Sequence, residues 1–530
     1  MSRLTPAGKV VIALVILLPA VWFAYTHRGG TTIGGTKGQI SKTDFTLPTG
    51  SDSATPVSAP APGPVSLPSS AAPLDRPIRV GINVWGGYAP GLVANGGKKT
   101  APDSINARRG LQVDYTIIDD WNQKGIAFWS GKLDIVGTTA DNFASQRVNW
   151  AQHDVISKAF VLHDWSRGGD GIVSTKAIKS IEDLKGKKVA TTQYTPSHFL
   201  LLYLLYNSGL TPDDIQAVRQ QITYTDTAGL AAKAFVAHQV DAAVTWEPDL
   251  SNAARNGGGH ILASTSSVSN LIADVLVAND KFLRQHPSEV EKYVETWLEG
   301  VKQIRRDPEG SARLVADALN VPVDDVKGML SGLRLTELGD NSAFFGLDPA
   351  HPGQFQNLFK SASTIWRKET LIDTVAEPED SMDSRFVAKL AASAPKTQLA
   401  RKEFTFTQPK KQAQPLLKRR ATIHFSSDSA AIQADSRYIL DDMAKVMMSA
   451  GNAYLRVEGN TSGSGNAAVN KMLSLKRAAA CRDYMVAKYG LEPKRFQVVG
   501  NGFNKPMVPN TTESGRERNR RTDLILIPNA

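Results

Sequence analysis

Two short runs hold the residues best placed to do chemistry. Thr195-Pro-Ser-His198 precedes an apolar stretch, Phe199 to Asn207, that reads as a helix ending near Gly209. Thr195 suits the N-cap and Pro196 the first helical position. Thr195, Ser197 and His198 would then stand where unpaired N–H groups and the positive end of the helix dipole favour an anion. The second run is Gln239-Val-Asp-Ala-Ala-Val-Thr-Trp-Glu-Pro-Asp-Leu250. Its strand, Ala242 to Thr245, is cut by Trp246-Glu247-Pro248, because proline cannot donate to a sheet ladder. An aromatic ring and a carboxylate so placed lie past the strand's C-terminal end, where open α/β sheets bind ligands. Glu247 would repel an anion; it suits the ammonium of a zwitterion, a lobe-closing partner, or a hinge.

Two further strand ends offer related chemistry. Trp85-Gly86-Gly87-Tyr88 allows close backbone approach and supplies two rings as a wall. Thr138-Thr139-Ala140-Asp141 places Thr139 or Asp141 to cap a helix at the same edge. A plain strand-to-helix turn, or a capping motif without ligand, accounts for the same residues. Nine histidines are scattered without metal-ligand spacing, and His163-Asp164 is an isolated pair. No nucleophile elbow or P-loop appears. The expectation is a binding protein, not an enzyme, with no cofactor and no metal.

The elements that must position these residues alternate in type. Strands are expected at 78–84, 112–118, 134–138, 155–162, 188–193, 242–245 and 272–278, with helical patterns between them. Such alternation predicts parallel sheets with covering helices. Over 77–392, two lobes with a cleft are expected. Amphipathic helices at 289–306 and 308–319 would lie outside. A third, α+β unit over 420–528 has strands at 422–425, 453–458, 495–500 and 522–527 and helices at 432–448 and 469–489.

The ends and joints differ in composition. Arg3 and Lys9 precede an uncharged run from Val10 to Thr26. It would span about 25 Å, enough for a marginal membrane helix with a cytoplasmic N-terminus. Ala20-Val-Trp-Phe-Ala-Tyr-Thr-His is a poor cleavage site, so an uncleaved signal anchor over 10–26 is expected. Residues 29–74 are Gly-, Ser-, Thr- and Pro-rich and read as a disordered tether on the order of 40 Å long. Residues 395–419 read as a basic linker. The chain has 530 residues, a net charge of +10 and one cysteine, Cys481, so no intramolecular disulfide forms. From Lys396 onward 23 Lys and Arg face 11 Asp and Glu, which leaves the rest near −2. A basic end invites nucleic acid. A membrane surface or another polyanion suits the same charge.

Val80-Gly81-Ile82 with Trp85-Gly86-Gly87-Tyr88, Asp183-Leu184-Lys185-Gly186, Thr195-Pro196-Ser197-His198, and Asp241-Ala242-Ala243 with Trp246-Glu247-Pro248 occur in that order. They are similar to the periplasmic solute-binding proteins of the nitrate/sulfonate/taurine group, which serve ABC importers. The resemblance implies an α/β two-lobed periplasmic-binding-protein fold. It implies a small anionic or zwitterionic solute (sulfonate, nitrate- or phosphate-like) and an ABC permease as partner. Ligand contacts would come from Trp85, Gly87, Tyr88, Thr139, Thr195, Ser197, His198, Trp246 and Glu247.

Val457-Glu-Gly-Asn-Thr-Ser-Gly-Ser-Gly465, Asn470 to Ala478, and Gly515-Arg-Glu-Arg-Asn-Arg-Arg521 look like the OmpA-like peptidoglycan-binding domain. In that family a loop aspartate takes the ammonium of diaminopimelate and a helix arginine takes its carboxylate. Arg477 matches the arginine. Ser462 stands at the aspartate position, and Asn460 replaces the usual histidine. Wall binding through Thr461, Ser462, Asn470, Arg477 and Arg520 is therefore expected to be weaker or aimed at another stem residue. Together these resemblances imply a membrane-anchored periplasmic receptor with wall association; an envelope sensor or a structural tether uses the same parts.

Overall fold

The computed structural model describes residues 74–347, 353–399, 417–421, 423–425, 429–463 and 465–528. The apolar segment at 10–26, nearly all of 29–74 and most of 395–419 lie outside the described residues. Among those described, no helix is long and apolar enough to cross a membrane.

Fifteen strands are described: β1 (Ile78–Ile82), β2 (Val113–Ile117), β3 (Ile135–Thr139), β4 (Ser157–Ser166), β5 (Asp170–Ser174), β6 (Val189–Thr191), β7 (Ile222–Tyr224), β8 (Ala242–Trp246), β9 (His260–Ser264), β10 (Ala273–Asn279), β11 (Leu333–Leu335), β12 (Leu417–Ala421), β13 (Ala453–Gly459), β14 (Phe496–Gly500) and β15 (Thr522–Pro528). They form three sheets, ordered β11-β4-β10-β3-β1-β2, β7-β6-β8-β5-β9 and β12-β15-β13-β14. The first two are the cores of two lobes.

The expectation of parallel sheets needs correction, because both lobe sheets are mixed. β1 runs parallel to β2 and β3, and β6 to β7 and β8. β10 runs against β3 and β4, and β5 against β8 and β9. The reason is the path of the chain. It leaves the first lobe after β4 and returns after β9. β5 and β10 thus enter their sheets from the cleft side, opposite to the strands that run toward it.

The two crossovers, 167–169 and 265–272, are laced together. The Thr265 hydroxyl lies 2.8 Å from the Ser166 hydroxyl and accepts from the Gly168 N–H at 2.8 Å. The Thr265 N–H donates to the Asp170 carbonyl at 2.9 Å.

The helix α1 (Ala140–Ala151) follows β3, and α2 (Pro196–Asn207) follows β6. In α2, Phe199, Leu200, Leu201, Leu202, Leu204 and Leu205 are all fully buried. A helix apolar on every side must be covered on every side. It packs on β5 and β8, on α1, and on α3 (Gln354–Lys368). Each such side chain contributes about 1.5–3 kcal/mol relative to exposure. α3 straps the lobes: Trp366 is buried, its indole N–H donates to the Asp141 carbonyl at 2.7 Å, and its ring lies 5.4 Å from His198.

In the C-terminal region α4 (Arg437–Ser449) and α5 (Ala467–Tyr489) accompany the four-stranded sheet. The first strand lies at Leu417–Ala421, upstream of the expected 422–425. The pairing of β12 with Thr522–Leu526 sets that register, and among the described residues of the expected strand only Phe425 forms a bridge, to Ile432. Cys481 is buried on α5, and burial pushes its thiol up to about 12.

Candidate functional site

The strands that run toward the cleft end at Ile82, Ile117, Thr139, Ser166, Thr191, Tyr224, Trp246 and Ser264, so the two lobes present those ends to each other. Trp121 of the first lobe meets Trp246 of the second at 6.2 Å in an edge-on contact.

On the first lobe, sheet register sets three side chains abreast. Asp274 of β10 pairs with Thr139 of β3 on one side and with Asp164 of β4 on the other. Between Asp274 and Val275 the register with β4 slips from Asp164 to Leu162, which leaves His163 without a cross-strand partner. An extra residue at a bulge has its side chain re-aimed. His163 thereby joins Asp164 instead of alternating away from it, and its Nδ1 lies 2.9 Å from Asp164 Oδ2. Asp141 follows in the first turn of α1. Asp170 opens β5 opposite Trp246. His163, Asp141 and Asp164 are fully buried, and Asp170 and Asp274 nearly so.

These groups are short of partners. Neither ring nitrogen of His163 has a hydrogen bond, nor has Asp164 Oδ1, and no bond of normal geometry reaches either oxygen of Asp141. Burial pushes the Asp141 carboxyl up to about 8, against the pull of the Thr139 hydroxyl. Burial likewise pushes Asp170 up to about 7, with the charges of Asp164 and Glu247 adding to it. Asp274 is raised well above the carboxylate range by burial first and by Asp164, Asp170 and Asp141 after it. The nearby cation is Lys124, which is buried, donates to Asn83 Oδ1 at 2.8 Å and lies 4.2 Å over the Trp121 ring. Burial lowers it to about 7.

The residues expected from the sequence take the following places. The Trp85 indole N–H donates to Asp164 Oδ2 at 3.2 Å. Gly87 backs the same carboxylate. The Tyr88 hydroxyl bonds Asn83, and its ring lies 4.9 Å from His163. Thr139 caps α1 and Thr195 caps α2. Ser197 is fully buried and its hydroxyl lacks a partner. His198 bonds the Tyr224 hydroxyl at 3.1 Å; burial holds it near 3, so it is neutral. Glu247 is occupied by Ser251, whose hydroxyl and N–H both donate to it. Asp170 and Asp274 carry no sequence signal as site residues. His163-Asp164 was visible only as a pair, and Asp141 only as a cap.

A second site lies in the C-terminal region. A cavity of about 270 Å³ is lined by His424, Phe425, Asn460, Arg477, Glu517, Arg520 and Arg521 among others. Arg477 donates to the Ser429 carbonyl and lies 4.9 Å over the Phe425 ring. Arg520 bonds Glu513 at 2.7 Å. Thr461, Ser462 and Asn470 are not among the lining residues. Thr461 and Ser462 are buried at the end of β13, and Asn470 donates to the Asn466 carbonyl. Asn460 and Arg521 line the cavity too; the ends of β13 and β15 bring them together, with the Asn460 N–H donating to the Arg521 carbonyl at 2.9 Å.

Residues 169–311 match the family described as NMT1/THI5 like, and residues 424–520 match the OmpA family. The chain thus joins an NMT1/THI5-like segment to an OmpA-family domain. A Brucella abortus protein is 23% identical over 260 residues, 48% of this chain and 75% of its own length. The peptidoglycan-binding protein ArfA of Mycobacterium bovis is 31% identical over 104 residues, 20% of this chain and 32% of that protein. The periplasmic aliphatic sulphonate binding protein SsuA from Escherichia coli aligns with a TM-score of 0.47 at 19% identity, over 58% of this chain and 97% of that one. The chain spans between 29% and 63% of the length of the OmpA-type relatives it matches.

Proposed function

We propose that this chain is an envelope receptor: its two lobes close on a small anionic or zwitterionic solute, and its OmpA-family domain associates with peptidoglycan. Delivery of the solute to an ABC-type permease and anchoring by the apolar run at 10–26 belong to the same reading. The observation that carries it is the cleft. Two mixed sheets joined by two laced crossovers present their strand ends to each other, with Trp121 against Trp246 and unpaired buried polar groups between the lobes. Lobe closure about such a hinge is a known way to engulf a ligand. Contacts are assigned to Trp85, Gly87, Tyr88, Thr139, Thr195, Ser197, His198, Trp246 and Glu247. On the wall side they are assigned to Arg477 and Arg520 in the cavity, with Thr461, Ser462 and Asn470 on the adjoining loop and helix.

The test is a thermal-shift screen of the full chain with taurine, alkyl sulfonates, nitrate, phosphate and phosphonates. A ligand at one hundred times its dissociation constant stabilises by about 2.7 kcal/mol. The shift should disappear in Trp246→Ala and Ser197→Ala. A well-folded chain that responds to nothing in the panel counts against a receptor of this class. For the wall, co-sedimentation with purified sacculi should weaken in Arg477→Ala.

A sensor reading is favoured by one further observation. The returning crossover touches the OmpA-family region: the Asn270 N–H donates to the Ser449 carbonyl at 2.8 Å, and the Asn452 amide donates to the Ser266 carbonyl. A hinge segment that carries such contacts can report lobe closure to the wall-associating part.

A further inference from the structure

We propose that the floor of the cleft holds a divalent cation on His163, Asp164 and Asp274, and that this cation receives the anionic end of the solute. The inference rests on the receptor reading for its second half only. One ligand atom from each of the three residues lies within 4.8 Å of the other two. The 2.9 Å between His163 Nδ1 and Asp164 Oδ2 matches donors about 90° apart around a six-coordinate ion held at about 2.1 Å. It is not spent on a hydrogen bond, because both ring nitrogens lack one.

Protons alone do not complete this site. A proton shared by Asp164 and Asp274 would satisfy those two carboxyls. It would leave the buried imidazole of His163 bare. Buried polar groups without partners are rare in folded proteins and call for an explanation. A cation gives one ring nitrogen of His163 and the carboxylate of Asp164 a shared partner.

The surroundings also fit. Ligating side chains are usually fixed by outer groups. Here the Trp85 N–H holds Asp164 Oδ2, and the rings of Tyr88 and Trp297 stand 4.9 and 5.5 Å from His163. One imidazole with two carboxylates suits zinc or manganese, and three protein donors leave a position open. Asp141, Asp164, Asp170 and Asp274 supply no positive charge to an anionic solute entering beside them, and Lys124 is held by Asn83. A bound ion supplies that charge and offers that open position to a sulfonate, phosphonate or carboxylate oxygen.

The experiment uses the full chain stripped with EDTA and titrated calorimetrically with Zn²⁺, Mn²⁺, Ca²⁺ and Mg²⁺, each alone. One Zn²⁺ or Mn²⁺ per chain is expected, bound at least tenfold more weakly by Asp274→Asn and His163→Gln, and equally well by the surface control His153→Gln. X-ray absorption at the metal edge of the loaded wild-type chain needs no variant, and should show mixed nitrogen and oxygen donors. No stoichiometric ion, unchanged affinity in the folded variants, or an all-oxygen shell overturns the site. The anion screen is then repeated with and without the ion. Anion shifts that survive EDTA overturn the bridging role and leave the receptor reading standing. Ion binding without any anion shift supports the site and counts against the receptor reading.

Discussion

Gly87 leaves no room for a side chain. A Cβ there would stand 1.7 Å from Asp164 Oδ2 and 2.7 Å from the Trp85 indole nitrogen. Gly87→Ala must therefore push Asp164 out of the row it forms with Asp274 and Thr139. A loss of about 1–3 kcal/mol in denaturant unfolding is expected, as for overpacked interiors. The acids set a second expectation. Asp141, Asp170 and Asp274 are held above the ordinary 3.8, so the folded chain keeps protons that the unfolded chain has released. Their stabilisation is complete below pH 4 and is lost as pH rises toward about 7 and 8. His198, held near 3, opposes this up to about 6.5, and Lys124 opposes it only above about 7. Between pH 5 and 6.5 three falling contributions face one rising one. The melting temperature of the EDTA-stripped chain should drop by several degrees across that window. A flat or rising profile would mean that the acids are charged without a counter-ion.

At the scale of elements, the hinge depends on one hydroxyl. Thr265→Val keeps the shape and removes the group that Ser166 and the Gly168 N–H both use. It should cost about 1–3 kcal/mol, the usual result of leaving buried partners unsatisfied, measured by denaturant midpoint. The elements also explain what could be read from sequence. The run Val189 to Thr191 and the apolar Phe199 to Leu205 announced a strand and a buried helix, because continuous burial leaves continuous apolar sequence. Thr195 announced the cap. The antiparallel β5 did not show: Asp-Gly-Ile-Val-Ser is short and begins with a charge. The acidic cluster was equally hidden. Asp274 lies 110 residues from Asp164 and becomes its neighbour only through the register of β10 on β4. The bulge that re-aims His163 is likewise a property of pairing, and no spacing within β4 encodes it. The basic Lys418-Arg-Arg420 looked like linker, although charged edge strands are a common defence against stray pairing.

At the scale of the whole molecule, the OmpA-family region shares one apolar cluster with the lobes and is hydrogen-bonded to the returning crossover. Asn270→Ala removes a side-chain amide that donates to the Met448 carbonyl at 3.4 Å, and it keeps the backbone bond to Ser449. Each region should stay folded while protease cleavage between 400 and 416 becomes faster. Unchanged cleavage would show that this amide does not hold the regions together. The single thiol has a practical use. Cys481 is sealed in α5 and held at about 12, so it stays protonated and out of reach of maleimide reagents in the native chain. Two cysteines introduced on the outer faces of the lobes would take a fluorescent pair without background. The wild-type sequence is thus already the blank for a distance ruler across the cleft.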